Sequence, residues 1–159
     1  MPVLDTLSRS ASSQWVGKVR QVSSTRGELL KKNNLVVDVA VQMMAHALMG
    51  SDQIDGVIFG LTGGVVVTPG LRSIFNPIHR SPVGNNSSLA PFITRDANNL
   101  SSICNWVATY TNSGVVPLSY DMLGLVSQND RLFAALSFPA VTLSPGETIA
   151  VEWTILLRG

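Results

Sequence analysis

Charge is scarce in this sequence. Asp, Glu, Lys and Arg make up 13% of the 159 residues, against 45% hydrophobic residues. That is about half the charged share of an ordinary soluble domain. Such a surface either relies on Ser, Asn and Thr for solubility or is covered in an assembly, and assembly is the expectation. Cysteine is down to one residue, Cys104, which excludes an internal disulfide framework and a cysteine-based zinc site. Cys104 lies in the apolar run 101–110 with nothing nearby to lower its pKa, and it reads as a buried inert thiol. No apolar run reaches the ~20 residues of a membrane-spanning helix. The N-terminus lacks the continuous apolar stretch of a signal peptide, so the Asn-x-Ser/Thr triplets at Asn85, Asn86 and Asn99 are read without a secretory context. Lysine is absent after Lys32.

The net charge of +1 gives no global argument for nucleic acid or membrane. Its distribution is uneven. Residues 1–32 hold six basic and two acidic residues, net +4; residues 33–159 hold five basic and eight acidic, net −3. A basic leading segment on a mildly acidic body suggests an arm that docks on an acidic surface such as a neighbouring subunit. Arg9, Lys18 and Arg20 are the candidate contacts, and ordinary solubilising charge is the alternative. The length fits one domain over 15–159 behind an extended arm over 1–14, where no hydrophobic period is sustained.

The remaining segments read mainly as strands. The clearest pattern is in residues 131–159. Ile149, Val151, Trp153, Ile155 and Leu157 alternate with Thr148, Ala150, Glu152 and Thr154, as in a strand with one buried face. Before them, Leu132, Ala134, Leu136 and Phe138 share a face until Pro139 interrupts. Ser144-Pro145-Gly146-Glu147 is a type II turn between the two, so a closing β-hairpin is predicted. Upstream, Trp15, Gly17, Val19 and Gln21 alternate with Val16, Lys18, Arg20 and Val22. Residues 29–32 return, and Asn33-Asn34 punctuates. Residues 38–49 are predicted to form a buried α-helix, with Asp38 near its N-cap and Gly50 just past its end. Strands are predicted over 54–61, 100–110 and, once or twice, 115–126, with a turn at 127–130. Residues 68–99 are rich in Pro, Gly, Asn and Ser, with short strands near 73–78 and 90–94. Long connections of this kind tend to bind partners; Phe75, Ile78, Leu89 and Phe92 are the candidate anchors.

Motifs for catalysis are missing. Neither H-E-x-x-H, G-x-S-x-G nor Cys/His metal spacing is present. Thr62-Gly63-Gly64 runs into Val65, Val66 and Val67, not into the Lys-Ser/Thr of a phosphate-binding loop, and reads as a glycine turn. His46 and His79 have no evident partner; His79 falls in a loop. Asp52 with Asp55, and Asp121 with Asp130, flank strands and read as solvated turn acids. Trp15, Trp106 and Trp153 lie on three predicted strands and read as packing residues. No catalytic residue, metal or cofactor is expected.

The order of elements resembles a group of small virion structural proteins of tailed bacteriophages. The resemblance rests on Asn33-Asn34-Leu35-Val36-Val37-Asp38 entering a short helix, then Ile54-Asp55-Gly56-Val57-Ile58-Phe59-Gly60 and its glycine turn. Leu132-Phe133-Ala134 and Trp153-Thr154-Ile155 complete it at the end of the chain. It covers residues 16–158, although Val65, Val66 and Val67 stand where the family-like turn is followed by threonines. The resemblance implies an antiparallel β-sandwich of jelly-roll type without a catalytic site. It also implies a homo-oligomer in the virion that binds the major capsid protein or other virion proteins, with no direct nucleic-acid or membrane contact. A capsid decoration (cement) protein is the first expectation. A tail, neck or baseplate component and a host-glycan-binding module are the alternatives.

Overall fold

The computed structural model describes residues 16–36, 53–74, 76–83, 92–96 and 101–157. Nine strands occur in chain order: β1 Val16–Ser23, β2 Gly27–Val36, β3 Ile54–Gly60, β4 Pro77–Pro82, β5 Phe92–Asp96, β6 Ser101–Thr111, β7 Leu118–Ser127, β8 Leu132–Leu143 and β9 Thr148–Leu157. They neighbour one another in the order β4-β3-β7-β8-β2-β1-β9-β6-β5, and every pairing is antiparallel. The first sheet is β5-β6-β9-β1-β2. The second is β4-β3-β7-β8, joined to the last residues of β2 through Leu35↔Ala135 and Val36↔Ala134.

Both sheets contribute side chains to one core. From the first sheet come Val19, Ala108, Ile149, Val151, Trp153 and Ile155; from the second come Phe59, Leu123, Leu125, Leu136 and Phe138. Period-2 alternation in the sequence places these side chains on the inner faces while Lys18, Thr109 and Glu152 look out. Gln21 is the buried polar residue of β1; its Oε1 accepts a 2.5 Å hydrogen bond from the Tyr120 hydroxyl. Burial pushes the Tyr120 phenol well above its ordinary pKa.

The second sheet is buried on both faces. Its outer face carries Met122, Val126, Leu132 and Ala135, and the segment after β3 folds back over it with Leu71 and Ile74. This explains the near-continuous apolar runs 122–126 and 132–136, which a sheet wet on one side would not need. Gly124 is the notch in that face: a Cβ there would lie 2.6 Å from Ile74 Cδ1 and Cγ1 and 2.7 Å from Leu132 Cδ1. Gly124→Val is therefore expected to lower stability by about 1–3 kcal/mol through overpacking. Urea denaturation measures the loss, and the Leu71 amide, which donates to Thr68 O at 3.0 Å, should exchange faster in the variant.

Several expectations are corrected. The last two strands form no hairpin: β8 pairs with β7 and β2, whereas β9 pairs with β1 and β6. The turn 144–147 is present, with Gly146 at φ 81°, but it carries the chain from one sheet to the other. Strand β8 also continues past Pro139 to Leu143. It accommodates the proline where its register with β7 shifts between Tyr120 and Met122. A second irregularity, between Leu125 and Val126, turns Leu132 to the outer face, away from Ala134 and Leu136. Asn33-Asn34 does not punctuate, since β2 runs through it, paired with Lys18 and Gly17. His79 lies in β4, not in a loop. Of the one or two strands expected over 115–126, one, β7, is present. The expected helix over 38–49 and the arm over 1–14 lie outside the described residues.

Candidate docking site

Strand pairing gathers four connections at one end of the molecule. Ser23↔Ile149, Thr111↔Thr148, Leu118↔Leu143, Gly60↔Met122 and Gly60↔Pro77 bring together residues 23–27, 60–77, 111–118 and 143–148. The links 36–54, 82–92, 96–101 and 127–132 leave their strands away from this end.

The end is held by two buried polar residues. Glu147, 3% exposed, accepts hydrogen bonds from Ser23 Oγ, Thr25 Oγ1 (3.0 Å), Arg26 Nε (2.8 Å) and the Ser144 amide (3.0 Å). Arg26 Nη2 also donates to Thr142 O at 2.8 Å. The Arg26 guanidinium, then the Ser23 hydroxyl, hold the Glu147 carboxyl down to about 2. Asn112 is fully buried and donates through Nδ2 to Val116 O (2.8 Å) and Leu143 O (3.0 Å), while its Oδ1 accepts from the Gly114 amide at 3.0 Å. On the adjoining connection, Asp121 accepts from the Thr62 amide at 2.7 Å and from Thr62 Oγ1 at 3.0 Å. The Val65 amide closes the turn on Thr62 O at 3.0 Å, around Gly63 and Gly64 at φ 57° and 86°.

Well-anchored turns thus carry apolar tips. Among the described residues the exposed large hydrophobic side chains are Leu61, Val65, Val66, Ile78, Val115 and Val116. All six sit at this end. Val115 is 91% exposed, Val66 74% and Val116 60%. Isolated exposed aliphatics are ordinary; their concentration at one end marks an interaction surface. Sequence reasoning missed these valines, placing Val115 in a strand and treating Val65–Val67 only as the sequel of a glycine turn. The available signal was valine pairs inside segments rich in Gly, Asn and Pro, where no strand partner could bury them.

The residues singled out from sequence are scattered. Lys18 is exposed on the outer face of β1. Arg20 is occupied by Glu28 (2.7 Å) and Glu152 (3.4 Å), which raise its pKa, Glu28 foremost. Ile78 is exposed and belongs to the apolar end. Phe92 opens β5; Arg9, Phe75 and Leu89 lie outside the described residues. Asp55 and Asp130 do converge, but on Arg80, whose Nη2 donates to Asp55 and whose Nε donates to Asp130 at 2.8 Å. His79 stacks on Tyr110 with ring centroids 3.9 Å apart, and burial lowers its imidazole pKa. Cys104 is half-buried, and burial pushes its thiol up. Trp153 is fully buried, directly opposite Trp106.

Among the described residues no three His, Cys, Asp or Glu side chains are grouped to hold a metal ion, and no helix is long and apolar enough to cross a membrane. Comparison with protein-family models, curated proteins and solved structures finds no match for this chain.

Proposed function

We propose that this chain is a non-enzymatic structural protein of a tailed-bacteriophage virion, in first place a decoration protein of jelly-roll type that binds and stabilises the major capsid shell. The observation that carries the docking part of this reading is the valine-tipped end, held rigid by Glu147, Asn112 and Asp121. A site organised this way offers bound apolar area. The two antiparallel sheets and the order of sequence motifs support the virion assignment, and the low charge content supports a life in an assembly. The mechanism is mass action: a protein that binds the assembled shell and not its free subunits shifts the equilibrium toward the shell. The arm over 1–14, with Arg9, and the segment 68–99 are proposed as further contacts.

Imaging of purified particles with an antibody against this chain tests the reading. Copies in the hundreds over the head are expected. A dozen or fewer at the tail, neck or baseplate would move the protein to that part of the virion, and absence from the particle would overturn the reading.

A further inference from the structure

We propose that Lys32, together with Pro139 and Arg26, guards the edge of β8 against strand addition, and that the strand it keeps out is the same stretch, 137–143, of another copy of the chain. The guard stands whether or not the chain belongs to a virion.

The edge begins where β2 and β8 separate. Among the described residues they share the rungs Leu35↔Ala135 and Val36↔Ala134. From Asn34 back to Gly27, β2 follows β1, while β8 from Leu136 to Leu143 follows β7. Past the shared rungs, cations take the place of ladder bonds. Lys32 Nζ donates to Ser137 O at 3.2 Å, and Arg26 Nη2 donates to Thr142 O at 2.8 Å. Both reach β8 from the β2 side. Between these two carbonyls, Pro139 has no N–H to offer a further strand. The edge is also buckled there, since Met122↔Ser137 and Tyr120↔Val141 leave Phe138, Pro139 and Ala140 opposite Asp121 alone. Lysine on an edge, proline on an edge and a bulge are the devices by which natural sheets refuse another strand. All of them fall here between Ser137 and Leu143.

The stretch has something to be guarded against. Pro139, Ala140 and Thr142 are exposed, and Ser137 and Val141 are half-buried, so another chain can reach them. Ser137-Phe138-Pro139-Ala140-Val141-Thr142-Leu143 contains no charged residue, so charge repulsion within the strand does not hold two such edges apart. Pairing of the stretch with its own copy is self-complementary about a two-fold axis. An arriving strand has to take over Ser137 O. It must then either displace the Lys32 ammonium or cover it without an anion, and covering an unpaired charge is strongly unfavourable. Lys31 cannot do this. It stands opposite Arg20, which faces out from β1, so alternation points Lys31 to the other side of β2 from Lys32.

Lys31 therefore supplies the control for charge. The test compares the double variants Lys32→Met, Pro139→Val and Lys31→Met, Pro139→Val, which carry the same net charge. In sedimentation velocity over about 1–100 μM the Lys32 variant should associate at a concentration lower by about tenfold or more. Lys32→Arg, Pro139→Val keeps a donor for Ser137 O and should behave as the Lys31 variant does. Hydrogen exchange of the associated Lys32 variant should show new protection within 137–143. Urea denaturation checks that all three are folded; if the Pro139 change prevents folding, Lys32→Met against Lys31→Met in the otherwise wild-type chain gives the same contrast. Equal association of the Lys32 and Lys31 variants, or protection gained elsewhere than in 137–143, overturns the proposal. So does a Lys32 variant that stays monomeric and gains that protection only when an alternating Thr-Val peptide is added, which would give the edge to foreign strands.

Discussion

Trp153→Ala is expected to lower stability by about 3–5 kcal/mol, the range for truncating a large buried aromatic side chain. The indole is fully buried in the core to which both sheets contribute. Its residue pairs with Val19 on β1 and with Trp106 on β6, near the middle of the first sheet. Neighbouring strands are fixed by their ladders, so collapse around the cavity is limited, and the cost should fall in the upper part of the range. In a domain of this size that corresponds to a melting temperature lower by roughly 10 °C or more. Packing, not hydrogen bonding, should account for the loss, because the buried Nε1 of Trp153 has no partner. Trp153→Phe keeps most of the volume and removes that unpaired N–H, so it should cost no more than about 1.5 kcal/mol. Denaturant titration of both variants decides the matter. An alanine variant within 1 kcal/mol of wild type, or a phenylalanine variant as damaged as alanine, would contradict the role given to the indole.

Strand alternation was legible where one face meets water. The pattern of β9 appears unchanged in its burial, with Ile149, Val151, Trp153 and Ile155 inside and Glu152 outside. The partner of β9 was not legible. A type II turn at 144–147 is compatible with a hairpin and with a passage between sheets. The choice is made by β1 and β6 flanking β9, contacts such as Val19↔Trp153 and Trp106↔Trp153 that span long stretches of sequence. The apolar runs in β7 and β8 hid their two-sided burial, since a period of two disappears when both faces are covered. Lys18 and Arg20 were noticed for their charge, yet Arg20 is occupied by Glu28 and Glu152. The valine tips escaped because β-branched residues normally signal strands. Val115 and Val116 instead lie in a turn that Asn112 ties down, its Nδ2 donating to Val116 O and to Leu143 O at the end of β8.

Glu147 carries the largest expected pH effect. Its carboxylate accepts from Ser23, Thr25, Arg26 and the Ser144 amide, which holds its pKa down from 4.5 to about 2. A depressed carboxyl pKa means that the unfolded chain binds the extra proton first. The stabilisation is thus complete above pH 4.5 and is lost as the pH falls from there toward 2. A shift of that size corresponds to about 3 kcal/mol. Arg26 is 45% exposed, so solvent screening trims the contribution to about 2 kcal/mol. Glu147→Gln keeps the shape, loses the charge and leaves Arg26 facing an amide nitrogen or a single neutral oxygen. At pH 7 this variant should be less stable by about 2 kcal/mol, and the gap should close on acidification through the same window. Urea denaturation of both proteins at several pH values between 7 and 2.5 measures the difference. A gap that stays constant down to pH 2.5 would mean that the Glu147 carboxyl is not held low. The consequence reaches the docking end as well, because Glu147 O accepts from the Asn112 amide and Asn112 O from the Gly146 amide, at 3.0 and 2.7 Å. Loosening this turn releases Asn112, and with it the tip that holds Val115 and Val116 in place.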